Sequence, residues 1–161
     1  MEFTWTKQDV RVAHLNLREE MHGEESKQAV DVKLAAAMPN DFLSYLSPTL
    51  KWSLYDKAEQ PDLADDGKHM PRLRYPEMAS IKWGGEMQRA DVTFHGAKEK
   101  FDWSVDAKVH KLAMDCLDGG TVQVSCNVTF YPKPEQVGAL AGILGRDVKV
   151  SIEPGDPDAG S

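Results

Sequence analysis

A histidine and both of the chain's cysteines fall within HKLAMDCLDGGTVQVSC, residues 110–126, around an Asp-Gly-Gly turn. Side chains of these types can hold a metal, form a redox pair, or make a nucleophile activated by an imidazole. Which of these the spacing permits depends on the strands that carry them. Val122, Val124, Cys126, Val128 and Phe130 recur at every second residue, the pattern of one buried strand face. A three-residue loop, Asp118-Gly119-Gly120, pairs Leu117 with Thr121, Cys116 with Val122, Met114 with Val124, Leu112 with Cys126 and His110 with Val128. A two-residue loop would place Asp115 and Lys111 in the core, so the three-residue hairpin is expected.

In that register the cysteines lie four cross-strand positions apart, roughly 13 Å at about 3.3 Å per residue. A disulfide needs Cα atoms within about 7 Å. Zinc takes four clustered ligands, and Cys126 with a diagonal His110 supplies at most two. A Cys126–His110 nucleophile pair would sit mid-strand on the buried face, where no substrate reaches it. The expectation is a structural hairpin with a sulfur-rich inner face. Elsewhere, Asp65-Asp66 and Asp156 with Asp158 lack calcium-loop spacing, and Gly84-Gly85 reads as a turn rather than a phosphate loop. No GxSxG, HExxH or paired CxxC occurs. The chain is therefore expected to be no enzyme, to use no cofactor and no metal, and to work by binding.

The elements that position these residues are mostly strands. Ala13, Leu15 and Leu17 alternate with polar residues, as do Val30, Val32 and Leu34. A Gly23-Glu24 turn with Gly first sets Leu17 opposite Val30, Leu15 opposite Val32, Ala13 opposite Leu34 and Glu20 opposite Lys27. Asn40 is placed to cap a short helix through Leu46, and Pro48 to start a second turn toward Trp52 and Leu54. Residues 56–78 hold Pro61, Pro71 and Pro76 and read as a long irregular connection. Strand pattern returns at Ile81 and Trp83, at Ala90, Val92 and Phe94, at Phe101, Trp103 and Val105, and at Val148, Val150 and Ile152; Glu135 to Leu144, closed by Gly145, reads as a helix. The fold expected is mainly β (α+β), an antiparallel β-sandwich or strongly curved sheet of about seven strands, with short peripheral helices near 40–54 and 135–144. Exposed sheet edges would allow strand pairing with a partner or a homodimer.

At 161 residues and 41% hydrophobic, the chain suits a single β-rich domain over 1–153 with a flexible acidic tail at 154–161. No run of about 18 apolar residues is present, and MEFTWTKQDV lacks a secretory pattern, so no membrane partner and a cytoplasmic location are expected. The 26 acidic and 19 basic residues leave a formal charge of −7, which repels a phosphate backbone unless cations are grouped. They are densest in KHMPRLRYPEMASIKWGGEMQR, residues 68–89. There Lys68, Arg72, Arg74, Lys82 and Arg89 meet only Glu77 and Glu86, and Tyr75 and Trp83 add stacking surface. These residue types serve both interface hot spots and single-strand binding.

The stretch TWTKQDVRVAHLNLREEMHGEESKQAVDVKLAAAMPNDFLSYLSPTLKWSLYD, residues 4–56, resembles small proteins of unassigned role carried by tailed bacteriophages and prophages, as does LAGILGRDVKVSIEP at 140–154. The resemblance implies a bacterial host cytoplasm during infection, and action by binding on nucleic-acid machinery or on host defence complexes. It transfers no site residues. Two functions are weighed on this basis. One is a non-catalytic binder of a protein partner, an inhibitor or accessory factor. The other is a single-stranded nucleic-acid binder using the 68–89 patch; the acidic total favours the first.

Overall fold

A computed structural model of the chain describes residues 1–59 and 69–156. Two long strands, β1 (Trp5–His22) and β2 (Glu25–Pro39), form the first hairpin. Short helical turns follow at Asn40–Tyr45 and in α1 (Leu50–Leu54). The two-residue strands β3 (Tyr55–Asp56) and β4 (Arg72–Leu73) pair with each other. Then come β5 (Ile81–Trp83), β6 (Met87–His95), β7 (Trp103–Cys116), β8 (Thr121–Phe130), helix α2 (Pro134–Ile143) and β9 (Asp147–Pro154).

The protein is mainly β and antiparallel, but a sandwich is not what forms. Strands run in the order β7-β6-β9-β1-β2-β8, and β8 pairs back onto β7, so six strands close into a barrel. The 14-residue β7 makes this possible. One of its sides pairs with β8, the other with β6 and then with β5 beyond the Gly84-Gly85 break. Closure reduces the exposed edges of this sheet, among the described residues, to the three-residue β5, which pairs with β7 alone.

Bulges let the same face stay inside around the curve. In β1, Thr6 and Lys7 oppose the single Ser151, and Ala13 is the extra residue between the Val12–Leu34 and His14–Lys33 pairs. Each extra residue reverses the alternation, so Trp5, then Val10 and Val12, then Leu15 and Leu17 share one face. Val12 therefore takes the place opposite Leu34 that alternation assigned to Ala13, while Leu17–Val30, Leu15–Val32 and Glu20–Lys27 pair as expected. Gly23, at φ 69°, opens the two-residue turn in the left-handed conformation a glycine adopts freely.

The β7–β8 hairpin keeps its expected loop, with the Leu117 amide donating to Thr121 O at 2.9 Å and Cys116 opposite Val122. Farther from the turn, Lys111 and Leu112 oppose Cys126, with Lys111 at φ 52°. This bulge corrects the remaining pairs: Val109 meets Val128 inside, and His110 meets Asn127 outside. Cys126 is fully buried, so it and His110 sit on opposite faces of the wall. Both cysteines are free thiols.

The helical elements cover the two ends of the barrel. Where β2 finishes, Phe3 packs against Trp5 and Phe42 with ring centroids 5.3 and 5.2 Å apart. There the buried Tyr55 hydroxyl donates to the carbonyls of Leu117 and Thr121 at 2.8 and 3.1 Å. The cap expected at Asn40 does not form: Pro39 takes the capping position of the 3₁₀ turn, and the buried side-chain amide of Asn40 donates to Met70 O at 2.8 Å. At the other end Phe94 stacks on Trp103 at 4.5 Å beside Phe130, and α2 buries Leu140. Phe101, expected in strand, lies in the 3₁₀ turn Glu99–Phe101 and is exposed. Toward the tail, the Gly155 amide donates to Arg89 O at 3.0 Å; residues 157–161 lie outside the described residues. No helix among the described residues is long and apolar enough to cross a membrane.

Burial pushes the Cys126 thiol up to about 12, and burial also raises Cys116. Ellman's reagent at mildly alkaline pH should therefore leave Cys126 unmodified in the native protein and titrate it on denaturation. Rapid native reaction of both thiols would contradict the packing. Replacing Leu34, fully buried in the barrel, by Ala should lower unfolding free energy by about 2–5 kcal/mol in denaturant melts.

Candidate functional site

The residues that are dense in sequence between 68 and 89 are divided in space. Lys68 lies outside the described residues. Arg72, in β4, holds Asp56 at 3.1 Å and Glu59 at 3.2 Å. Arg74 donates from Nε to the carbonyls of Trp52 (2.8 Å) and Tyr55 (3.0 Å), and from Nη1 to Asp56 at 3.2 Å. Both arginines thus brace the helical insert against the chain segment that follows it. The Lys57 amide, then Arg72, keep the Asp56 carboxyl below its ordinary range. Tyr75 is exposed beside them. Trp83 packs against the core, Lys82 points outward opposite Ala113, and Arg89 pairs with Asp106 on the outer wall with Nε at 3.0 Å.

What the cap of the barrel presents instead is aromatic. Tyr45, Trp52, Tyr75 and Met78 are all exposed there. Two concavities adjoin, one of about 410 Å³ lined by Met38, Phe42 and Tyr45, the other of about 490 Å³ lined by Pro48, Trp52 and Met70. Asp41 and Ser44 border both.

The barrel wall carries a polar network across four strands. His110 Nε2 lies 2.7 Å from Thr129 Oγ1, and the Thr129 hydroxyl donates to Asp31 at 2.6 Å. The only hydroxyl proton of Thr129 is thus committed to Asp31, so His110 must be protonated on Nε2 to donate to it. Arg18 donates to Asp31 at 3.0 Å and also pairs with Glu20, which accepts from Tyr131 at 2.8 Å. Burial pushes the Asp31 carboxyl up, but the hydrogen bonds from Arg18 and Thr129 outweigh it and the group titrates below its ordinary range. Burial, then Lys108, holds His110 below the ordinary histidine value. His110 gives its proton to Thr129 rather than taking one, so it does not activate that hydroxyl.

A second chain of bonds joins three residues no motif connects. Asp102 meets His95 Nδ1 at 2.8 Å, and His95 Nε2 meets Ser151 Oγ at 2.7 Å. That is the acid–base–nucleophile order of a serine triad. Acyl transfer further needs donors for an oxyanion and a cleft for the acyl group, and the concavities of the cap and of the network wall are lined by other residues. The Ser151 hydroxyl oxygen also accepts the Lys7 amide at 2.9 Å, where the bulge holds Lys7 at φ 44°. The Gly96 amide donates to Asp102 at 2.9 Å. The trio therefore ties the β6–β7 turn to β9 and to the bulged start of β1. His95 and Asp102 flank the β6–β7 turn seven residues apart and Ser151 lies 56 residues beyond His95, so no motif spacing announces them. Among the described residues, no group of three His, Cys, Asp or Glu side chains is placed to hold a metal ion.

The unfolded chain takes up a proton at His110 near pH ~6.5, while the folded chain resists it. The unfolded state then binds more protons, and stability present above that pH declines as pH falls. Asp31 and Glu20, held low by their partners, add a further loss at more acidic pH. Denaturant melts from about pH 7 to 5 should show a flatter decline for His110→Gln than for the parent; identical slopes would contradict the network. Comparison of the chain with protein-family models, curated proteins and solved structures finds no match in any of them.

Proposed function

We propose that the chain is a non-catalytic binding protein that engages a protein partner through its helical cap. We place it with the small phage proteins it resembles, as an inhibitor or accessory factor of nucleic-acid machinery or of a host defence complex in the bacterial cytoplasm. The observation that carries this reading is Trp52, 61% exposed, with Tyr45 and Tyr75 on the same cap at 50% and 57%. Large aromatic side chains left in water are poor for solubility and good as anchors, because burying one at an interface removes a large apolar area at little rotamer cost. The apolar concavity at Met38, Phe42 and Tyr45 offers a receiving pocket for a partner's own side chain, and the mixed one beside Trp52 carries Asp41, Lys51 and Lys57 on its border.

The charges point the same way. Arg72 and Arg74 are spent on Asp56, Glu59 and backbone carbonyls, and Lys51 pairs with Asp41, which leaves Lys57 on the border of the second concavity. The chain's net charge of −7 favours encounter with a basic partner surface. His110 donates to Thr129, and His95 is held between Asp102 and Ser151 as a tie between elements.

The test is photo-crosslinking from position 45 in host lysate, followed by titration of the purified captured protein against the parent and against Trp52→Ala/Tyr75→Ala. Loss of about 30-fold or more in affinity, with unchanged folding, is expected for a hot spot worth ~2 kcal/mol or more. Equal affinity of parent and variant would remove the cap from the interface.

A further inference from the structure

Cross-strand register places the smallest side chains of the wall in one row. Arg11 is opposite Ala35, Ala35 opposite Ser125, Ser125 opposite Ala113, and Ala113 opposite Lys82. The row runs from a cation on β1 to a cation on β5 over a floor of two methyl groups and a hydroxyl. At about 4.8 Å per strand it is roughly 19 Å long. The adjacent row is His14, Lys33, Asn127 and His110, with the bulged Lys111 beside it. Together they outline a hollow of about 360 Å³, bordered by His14, Asn16, Lys33, Lys111, Ser125 and Asn127.

This trough is cationic in an acidic protein. Arg11 is paired with Asp147, but Lys33, Lys82 and Lys111 make no ion pair among the described residues. Asp31 is the carboxylate that reaches the hollow, and it is already satisfied by Arg18, Thr129 and Asn16. The Lys111-Leu112 bulge that closes the barrel leaves Lys111 on the border of the hollow with Lys33 and His14. Like charges gathered around a concavity repel one another unless an anion joins them.

We propose that this trough binds single-stranded nucleic acid along its sugar-phosphate backbone, without reading sequence. The lining holds no large apolar side chain to receive a peptide's, while Asn127 and Ser125 offer polar groups to sugar and phosphate oxygens. A flexible strand follows the convex wall across several strands, whereas a stiff duplex touches such a surface over a short arc. The inference uses residues apart from the cap and stands beyond the protein-binding reading.

The test is fluorescence anisotropy of a labelled mixed-sequence DNA strand with the full chain, over a range of salt. Binding is expected to weaken with salt at a log–log slope of about −2, the value for three neutralised phosphates. Lys33→Gln/Lys82→Gln/Lys111→Asn should weaken it at least tenfold at low salt and flatten the slope; Asn tolerates the left-handed backbone at 111. Lys33→Glu/Lys82→Glu, which leaves the bulge intact, should act in the same direction. Trp52→Ala should bind as the parent does. Absence of binding at low salt, binding unaltered in the lysine variants, or equal affinity for duplex or for polyglutamate would each overturn the proposal. None of these results would bear on Trp52.

Discussion

The structure depends on β7 having a strand on each side. Val109 is paired with Val128 of β8 and with Met87 of β6, and this double pairing turns an open, curved sheet into a barrel. A closed barrel must keep one face inward through a full turn, and regular alternation does not deliver that in strands of 14 to 18 residues. The bulges at Thr6-Lys7, Ala13, Gln88-Arg89 and Lys111-Leu112 supply the missing residue offsets and the added twist. Two of them hold a lysine in a left-handed conformation, a local strain offset by the pairing on either side.

Closure then decides where each surface lies. The barrel ends need covers, and the covers are the insert after β2 and helix α2. The insert is too short to hold itself, so Tyr55 anchors it to the β7–β8 turn, while Arg72 and Arg74 clamp it through Asp56 and backbone carbonyls. Those arginines are consumed as struts, and Trp52, Tyr45 and Tyr75 are left as the outward part of the cap. On the wall, outward side chains from four strands come into register, and the sheet's curvature joins a neutralised network around Asp31 to a trough edged by Lys33 and Lys111. The cap is the surface proposed for a protein partner and the wall the surface proposed for a phosphate chain.

Local hairpins were legible in the sequence because turn chemistry and alternation agree there. Gly23-Glu24 and Asp118-Gly119-Gly120 each set the pairs nearest to them, and Leu17–Val30, Leu15–Val32 and Cys116–Val122 form accordingly. Reading outward from the turns fails at the first bulge. Ala13 continues the pattern of Leu15 and Leu17 as well as Val12 does, so alternation alone cannot place the extra residue. The same ambiguity put His110 inside, opposite Val128. The 68–89 patch was legible as composition and not as geometry, since Asp56 and Glu59, which neutralise Arg72, precede it by 13 to 16 residues in the chain. The trough required the registers of five strands at once.

Closure by β7 is the claim on which both surfaces rest, and nuclear Overhauser contacts on the isotopically labelled full chain test it directly. Val109 is predicted to show cross-strand contacts to Val128 and to Met87 in the same sample, with His110 in contact with Thr129 and not with Cys126. Contacts from Val109 to Met87 alone, with β8 showing β2 as its single neighbour, would leave the sheet open and dismantle the wall.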